Sequence, residues 1–147
     1  MAPHDHLLPP APEVALPTRA GRHAPARAIP GGDAVIKSIS LLTRKAGLTH
    51  EQFVRHWLEI HAPLAHAVPG IRRYVQSHIV EERRRPDIPA TDVEIDGIAE
   101  LWYDDRESMA AALATPAAKA LHADGALFIG RIKTYTVEEK QIVPTSP

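Results

Sequence analysis

The chain lacks cysteine altogether and has few aromatic residues, 5% of its 147 positions. The absence of cysteine excludes disulfide bonds, thiolate metal sites and a cysteine nucleophile. No apolar run approaches the roughly 20 residues that a membrane-spanning helix needs. The N-terminus also lacks the basic start and apolar stretch of a secretory signal. These absences predict a cytoplasmic protein that does not enter a membrane.

An excess of charge of either sign is also missing. There are 17 basic and 18 acidic residues, so the net charge is -1. This balance gives no general electrostatic reason for the chain to bind nucleic acid or an anionic membrane surface. Hydrophobic residues make up 44% of the chain, enough for a packed core, and the length suits one domain.

Proline is unevenly distributed along the chain. Half of the 14 prolines fall within residues 1–30, where isolated apolar residues follow no period. Such a stretch cannot bury enough apolar area to offset the entropy of ordering it. We expect a disordered tail over residues 1–32, a domain over residues 33–143 and a disordered C-terminus over residues 144–147.

Four segments have the composition of β-strands, namely residues 35–43, 71–80, 97–103 and 131–137. A helix with Thr49 as N-cap and Gln52 in a capping box should separate the first two strands. An alanine-rich helix, capped by Asp104 or Asp105 and ending at Asp124-Gly125, should separate the last two. The order β-α-β-β-α-β predicts an α+β, ferredoxin-like domain with a four-stranded antiparallel sheet and both helices on one face.

The first helix and the strands also carry information about packing. Phe53, Trp57, Ile60 and Leu64 recur at helical spacing and predict a buried stripe, while Pro63 predicts a kink at residues 61–64. In the strands, apolar residues occur at both even-numbered and odd-numbered positions, so both faces of the sheet should be apolar. This predicts a homodimer in which a second copy covers the open face. The even positions are Ile36, Leu42 and Trp102, and the odd ones are Val35, Ile39, Leu41 and Leu101.

His61 is the first candidate for chemistry. It lies at the edge of the predicted stripe, half apolar and half accessible, which suits a general base whose pKa stays near neutrality. A histidine that caps the kinked helix end explains the same position equally well. His56, His61 and His66 are spaced by five residues, and two ligands on one helical face need a spacing of three or four, so we expect no metal site.

Other candidates lie on the strands. Tyr74, Gln76 and His78 share one face of the second strand, as the lining of a ligand cavity or a half-wetted interface would. Glu100 and Trp102 lie in the third strand, where the carboxylate is either a pocket acid or an edge charge. Glycine-rich phosphate loops and common hydrolase or metalloprotease motifs are absent, so we expect no cofactor.

Together these segments resemble an EthD-type domain over about residues 35–143. The resemblance implies the dimeric α+β barrel, in which two ferredoxin-like halves pair sheet to sheet. Methylmuconolactone methylisomerases of this family use a helix histidine, which falls on His61, and a strand tyrosine, which falls on Tyr74. Their strand cysteine falls on Leu101, and their loop histidine has no counterpart near residues 86–87. The motifs that carry the resemblance are Leu48-Thr49-His50-Glu51-Gln52-Phe53, Trp57, His61-Ala62-Pro63-Leu64, Pro69-Gly70, Tyr74, Asp96-Gly97-Ile98-Ala99-Glu100-Leu101-Trp102 and Phe128-Ile129-Gly130.

The resemblance implies a cofactor-independent acid/base enzyme that isomerises, cyclises or decarboxylates a small apolar carbonyl or lactone compound in a barrel cavity. His61 and Tyr74 would be catalytic. Trp57, His78, Glu100 and Trp102 would contact the substrate. The alternative is a non-catalytic ligand-binding or accessory dimer of an oxidative, ether-degradation-like pathway. An oxidoreductase is a third reading, against which the missing cofactor motifs count.

Overall fold

The computed structural model describes residues 35–145. The tail predicted over residues 1–32 lies outside this range, as do residues 146 and 147 of the predicted C-terminal end. Within the described part, no helix is long and apolar enough to cross a membrane.

A four-stranded antiparallel sheet forms one layer, with strand order β2-β3-β1-β4. The helices cover one face of this sheet, so the α+β, ferredoxin-like prediction is confirmed. The strands are β1 (Ile36–Arg44), β2 (Arg73–His78), β3 (Gly97–Tyr103) and β4 (Ile129–Val137). The helices are α1 (His50–His56), α2 (Ala62–Ala65), α3 (Arg106–Leu113) and α4 (Pro116–Phe128).

The two faces of the sheet differ in what covers them. Leu42, Ala99 and Tyr103 are buried against the helices, at 2%, 7% and 2% exposure. Since neighbouring residues of a strand point to opposite faces, Trp102 and its cross-strand partner Lys37 lie on the open face. The sequence suggested that the even-numbered apolar residues share one face, and this is wrong. Ile36 and Leu42 are on the helix side of the sheet, whereas Trp102 is on the open face. The pairing register, which decides this, is not visible within one strand.

The first helix begins as predicted. Thr49 accepts a hydrogen bond from the amide N–H of Gln52, and the Gln52 side chain accepts one from the amide N–H of Thr49. This capping box satisfies two of the amide groups that a helix start leaves unpaired. Phe53 and Trp57 follow and are fully buried.

The helix then widens into a π-helical turn over Trp57–His61 before α2 begins. Ala62 N–H donates to the carbonyl oxygen of Trp57, five residues back instead of four. The additional residue rotates the following positions, so His61 is buried at 8% exposure and Ile60 is 53% exposed. The prediction that Ile60 belongs to the buried stripe is wrong for this reason. Pro63, which has no N–H to donate, is the second residue after the turn.

The single alanine-rich helix predicted between the last two strands is divided into α3 and α4, because Thr115 caps a new helix that begins at Pro116. The second of the two also continues further than the sequence suggested. Asp124 and Gly125 were predicted to end it, yet α4 extends to Phe128, which is fully buried. A glycine inside a helix costs about 1 kcal/mol relative to alanine. Tertiary packing outweighs that cost here, because Gly125 is buried beside His61 and Phe128 packs against the first helix.

Candidate functional site

His61 and His56 share one carboxylate of α4. His61 Nδ1 lies 2.8 Å from Asp124 Oδ2, and His56 Nε2 lies 3.1 Å from both carboxylate oxygens. Phe128 packs against both rings, at centroid distances of 4.5 Å for His56 and 5.0 Å for His61. We call His56, His61 and Asp124 the carboxylate cluster.

The carboxylate fixes the protonation pattern of His61. Because an ionised carboxylate only accepts hydrogen bonds, Nδ1 carries the hydrogen and Nε2 keeps its lone pair. Every buried side-chain nitrogen and oxygen in the described part of the chain has a partner. Nε2 of His61 takes part in no hydrogen bond there, so it keeps contact with solvent. The ring is thus oriented as the base of a carboxylate–histidine pair is.

Burial sets the proton affinity of this base. Removal of the His61 ring from water lowers its pKa below the ordinary value of 6.5, although the hydrogen bond and the charge of Asp124 act in the opposite direction. Neighbouring His56 and His122 lower it further. His61 is therefore neutral near pH 7 and able to accept a proton.

Tyr74 forms the centre of a second polar group on the helix side of β2. Its hydroxyl oxygen accepts a hydrogen bond from the indole N–H of Trp57 at 2.9 Å. A second one comes from the side-chain amide of Gln76 at 3.2 Å. Burial raises the pKa of Tyr74 above 10.0, and the two hydrogen bonds partly oppose that shift. The phenol is therefore protonated at neutral pH, and its own hydrogen remains available to an outside acceptor.

His78 completes this group. Its Nε2 lies 2.9 Å from Oε1 of Gln76, and its ring lies beside that of Trp57 at a centroid distance of 5.1 Å. We call Tyr74, Gln76 and His78 the strand row. All three side chains line a cavity of about 640 Å³ between β2 and the first helix. Its apolar lining consists of Leu58, Ala62, Ala65, Val68, Ile71 and Val75.

A larger cavity of about 880 Å³ lies under the irregular segment 79–96. Asp96, which is 4% exposed, accepts hydrogen bonds there from the amide and guanidinium groups of Arg44 and pairs with His50. Arg84 is likewise paired, with Glu82. None of the predicted site residues lines this cavity, so the cavity beside the strand row is the better candidate.

Comparison with known proteins places this architecture in a family. The sequence pattern of the EthD domain matches residues 45–132, more than half of the chain. The chain belongs to the EthD domain family. Its catalogued relatives include the 4-carboxymethyl-4-methylbutenolide mutase of Pseudomonas reinekei. That enzyme is 27% identical over 106 residues, which cover 71% of this chain and 98% of the mutase.

Solved structures agree with this assignment. An EthD family protein from Bacillus halodurans is 28% identical, with a TM-score of 0.59 over 72% of this chain and 99% of that one. A dimeric ferredoxin-like protein from Thermobifida fusca is 16% identical, with a TM-score of 0.50 over 70% of this chain and 89% of that one. The second likeness supports the fold alone.

The EthD fold brings four of the six predicted site residues to the helix side of the sheet. Trp57, Tyr74 and His78 are joined by contacts around the strand row. His61 lies one turn after Trp57, in the carboxylate cluster, and is not among the residues that line the 640 Å³ cavity. No hydrogen bond in the described part of the chain joins it to Tyr74.

Glu100 and Trp102 lie on the open face instead. Glu100 forms an ion pair with Lys37 at 2.7 Å. Trp102 is flanked by Lys37 and Arg73, at 4.7 and 4.6 Å from the ring centroid, and its indole N–H donates to Glu139. The sheet separates both residues from the strand row, so the structure does not bring them into the same cavity as Tyr74.

Asp124 and Gln76 carry much of the geometry. The sequence indicated that Gln76 lies on a strand face suited to line a cavity, but it indicated no site role for Asp124. Asp124 was interpreted as a helix stop. The spacing of Ala118, Leu121, Gly125 and Phe128 is a signal that could have shown the helix continuing. No local signal pairs Asp124 with His61, since 63 residues separate them.

Proposed function

We propose that this EthD domain is a cofactor-independent acid/base enzyme that acts on a small carbonyl or lactone compound in the cavity beside Tyr74. The observation that carries the proposal is the hydroxyl of Tyr74. Its oxygen already accepts two hydrogen bonds, so its O–H is left to donate to an oxygen of a ligand. A donor held in this way suits the oxygen of an enolate, which gains negative charge as a proton leaves the neighbouring carbon.

His61 is the proposed base. A C–H bond α to the ligand carbonyl breaks, the proton goes to Nε2 of His61, and the electron pair moves onto the carbonyl oxygen facing Tyr74. Because His61 does not line the cavity, the proton reaches Nε2 through an intervening water molecule. Asp124 holds the ring and balances the charge that His61 gains.

The relationship with the mutase supports this class of reaction. The name of that enzyme describes the rearrangement of a butenolide, a small unsaturated lactone. Moving a double bond or a ring closure in such a compound requires removal of a proton from one atom and addition to another. The proposal for this chain is therefore an isomerase-type reaction.

We also propose a homodimer that covers the open face of the sheet. Ile39, Leu41, Ile98 and Trp102 place apolar surface there, and the Thermobifida fusca protein of the same fold is described as dimeric. The substitution Leu41→Asp should convert the dimer into monomer in size-exclusion chromatography with light scattering. Leu127→Asp, at an exposed position of α4, is the control. A monomeric wild type would contradict the dimer.

The function is tested by proton NMR in D₂O with a panel of small lactones, β-keto acids and cyclic ketones. We expect the wild type to exchange the α hydrogen of at least one of them. His61→Gln should reduce the rate about 10²–10⁴-fold, and Tyr74→Phe about 10²–10³-fold. Lys119→Gln, at an exposed position on α4, should leave the rate unchanged.

Circular dichroism establishes that each variant is folded. Broadening of ligand signals without exchange would favour the non-catalytic binding dimer instead. If the wild type shows no exchange and no broadening of ligand signals, both functions are contradicted.

A further inference from the structure

The amide of Gln76 has an orientation that its neighbours decide. The carbonyl oxygen of Trp57 can only accept a hydrogen bond, and one end of the Gln76 amide lies 2.9 Å from it. That end must be the nitrogen. The other end, Oε1, can only accept, and it lies 2.9 Å from Nε2 of His78. The hydrogen between them therefore belongs to His78.

This contact fixes where His78 can exchange a proton. Nε2 keeps its hydrogen in both the neutral and the charged ring, because Oε1 of Gln76 has no hydrogen to give. His78 therefore gains or loses a proton at Nδ1. No described residue pairs with Nδ1, and no unpaired nitrogen in this part of the chain is buried, so Nδ1 is open to solvent. The ring lines the cavity beside Tyr74.

One amide thus directs two groups of the same cavity. Through its nitrogen it occupies the oxygen of Tyr74 and leaves the O–H to donate outward. Through its oxygen it occupies Nε2 of His78 and leaves Nδ1 free. The cavity presents a hydrogen-bond donor for a carbonyl oxygen and, one amide group away, a nitrogen able to give or take a proton.

We infer that His78 is a second catalytic residue of this site, which returns a proton to a carbon remote from the one that His61 deprotonates, and that Gln76 is its positioning residue. The inference rests on the proposed function. The ligand it requires is a conjugated carbonyl compound, such as an unsaturated lactone, whose enolate spreads its charge from the carbonyl oxygen to the γ carbon. Two separate groups allow loss and return of the proton at different carbons.

The α C–H bond breaks and the proton goes to Nε2 of His61, while the electron pair delocalises over the oxygen and the γ carbon. The Nδ1–H bond of charged His78 then breaks, and the proton forms a new C–H bond at the γ carbon. His61 afterwards releases a proton to water and His78 takes one up, so no oxidant or reductant is needed.

The probe is α-angelica lactone, a methylated butenolide whose double bond moves when a proton leaves the α carbon and another is added at the γ carbon. Proton NMR in D₂O measures both halves in one sample, as deuterium uptake into recovered lactone and as the isomerised product. We expect His78→Gln to keep the α exchange of the wild type and to lose at least ten-fold in product formation. His61→Gln should lose both, and Lys119→Gln, at an exposed position of α4, neither.

A structural role for His78 predicts a different pattern, in which both halves fall together. Equal loss of exchange and product in His78→Gln, or no loss of product, would overturn the inference and leave the proposed function intact. A wild type that neither exchanges nor isomerises this lactone or any other member of the panel would contradict the proposed function, and the role of His78 with it.

The positioning role of Gln76 has a readout that needs no substrate. Long-range ¹⁵N–¹H NMR of histidine-labelled protein distinguishes the two neutral tautomers of a ring. We expect His78 of the wild type to carry its hydrogen on Nε2, and Gln76→Leu to show a mixture of tautomers with unchanged signals from His61. A wild-type ring with its hydrogen on Nδ1, or a pure Nε2–H tautomer in Gln76→Leu, would refute the positioning role.

Discussion

The carboxylate cluster and the strand row both hold histidines in fixed tautomers, but they do so by different means. In the cluster, a mostly buried charge on α4 joins two rings of the first helix. In the row, a neutral amide directs its neighbours at alternate positions of one strand. A buried carboxylate is costly unless each of its hydrogen bonds is made, whereas an amide beside a cavity can lose a partner to water. Substitutions in the carboxylate cluster should therefore change both activity and the free energy of unfolding. Substitutions in the strand row can change activity alone.

Loss of the carboxylate should give the largest effect. Asp124→Ala leaves the donors of His56 and His61 without their acceptor in a site that is only 11% exposed. We expect the free energy of unfolding to fall by about 1.5–3 kcal/mol, the magnitude of hydrogen bonds that involve a charged group. Urea denaturation at pH 7 measures it.

The matched control for that variant is Asp104→Ala. Asp104 also forms a carboxylate ion pair, with Arg72, but on the surface, where solvent screens the interaction. It should lose far less stability. A similar loss for the two variants would mean that the buried cluster contributes no more than a surface pair.

Two glycines sharpen the comparison, because one lies next to each group. A Cβ at Gly97 would overlap the ring of Trp57. Gly97→Ala should therefore cost about 1–3 kcal/mol by overpacking and displace the indole that holds Tyr74. Tryptophan fluorescence and urea denaturation report both effects.

Gly125→Ala should act in the opposite direction. Its Cβ would lie 3.7 Å from His61 and 3.5 Å from Ile129, which are ordinary contacts, inside α4. Relief of the glycine entropy should stabilise the protein by about 0.5–1 kcal/mol. If Gly125→Ala destabilises the protein instead, the packing of α4 against His61 is tighter than described.

The smallest effect concerns pH. Burial lowers the pKa of His61 in the folded state, so the unfolded chain takes up a proton first as the pH falls. The contribution of neutral His61 to the free energy of unfolding should be fully present above pH 6.5. It should decrease as the pH falls from 6.5 to the pKa of His61 in the folded state. His61→Gln should abolish this decline in urea titrations between about pH 5 and 7.

A separate decline at lower pH should remain in that variant. Asp96 has a pKa below its usual 3.8 in the folded state: burial acts to raise it, but the hydrogen bonds from Arg44 and His50 outweigh burial. Its contribution is present above pH 3.8 and is lost as the pH falls through the folded pKa. If the decline just below pH 6.5 persists without His61, another group carries it.

Local signals were enough to predict much of the fold. The capping box of Thr49 and Gln52, the extent of β3 and the shared face of Tyr74, Gln76 and His78 all appear in the structure as expected. Each depends on residues within a few positions of one another. Helix starts and strand alternation are set by backbone geometry that neighbours in sequence control.

The sequence by itself therefore determined the order of the elements, the α+β class and the candidate histidines and tyrosine. Tertiary structure alone decided that His61 replaces Ile60 in the core, that α4 continues through Gly125, and that Glu100 and Trp102 lie across the sheet from Tyr74. These outcomes depend on a π-helical turn, on packing between helices and on strand register. Each of them depends on interactions between residues that are far apart in the chain, so a local sequence pattern does not predict it.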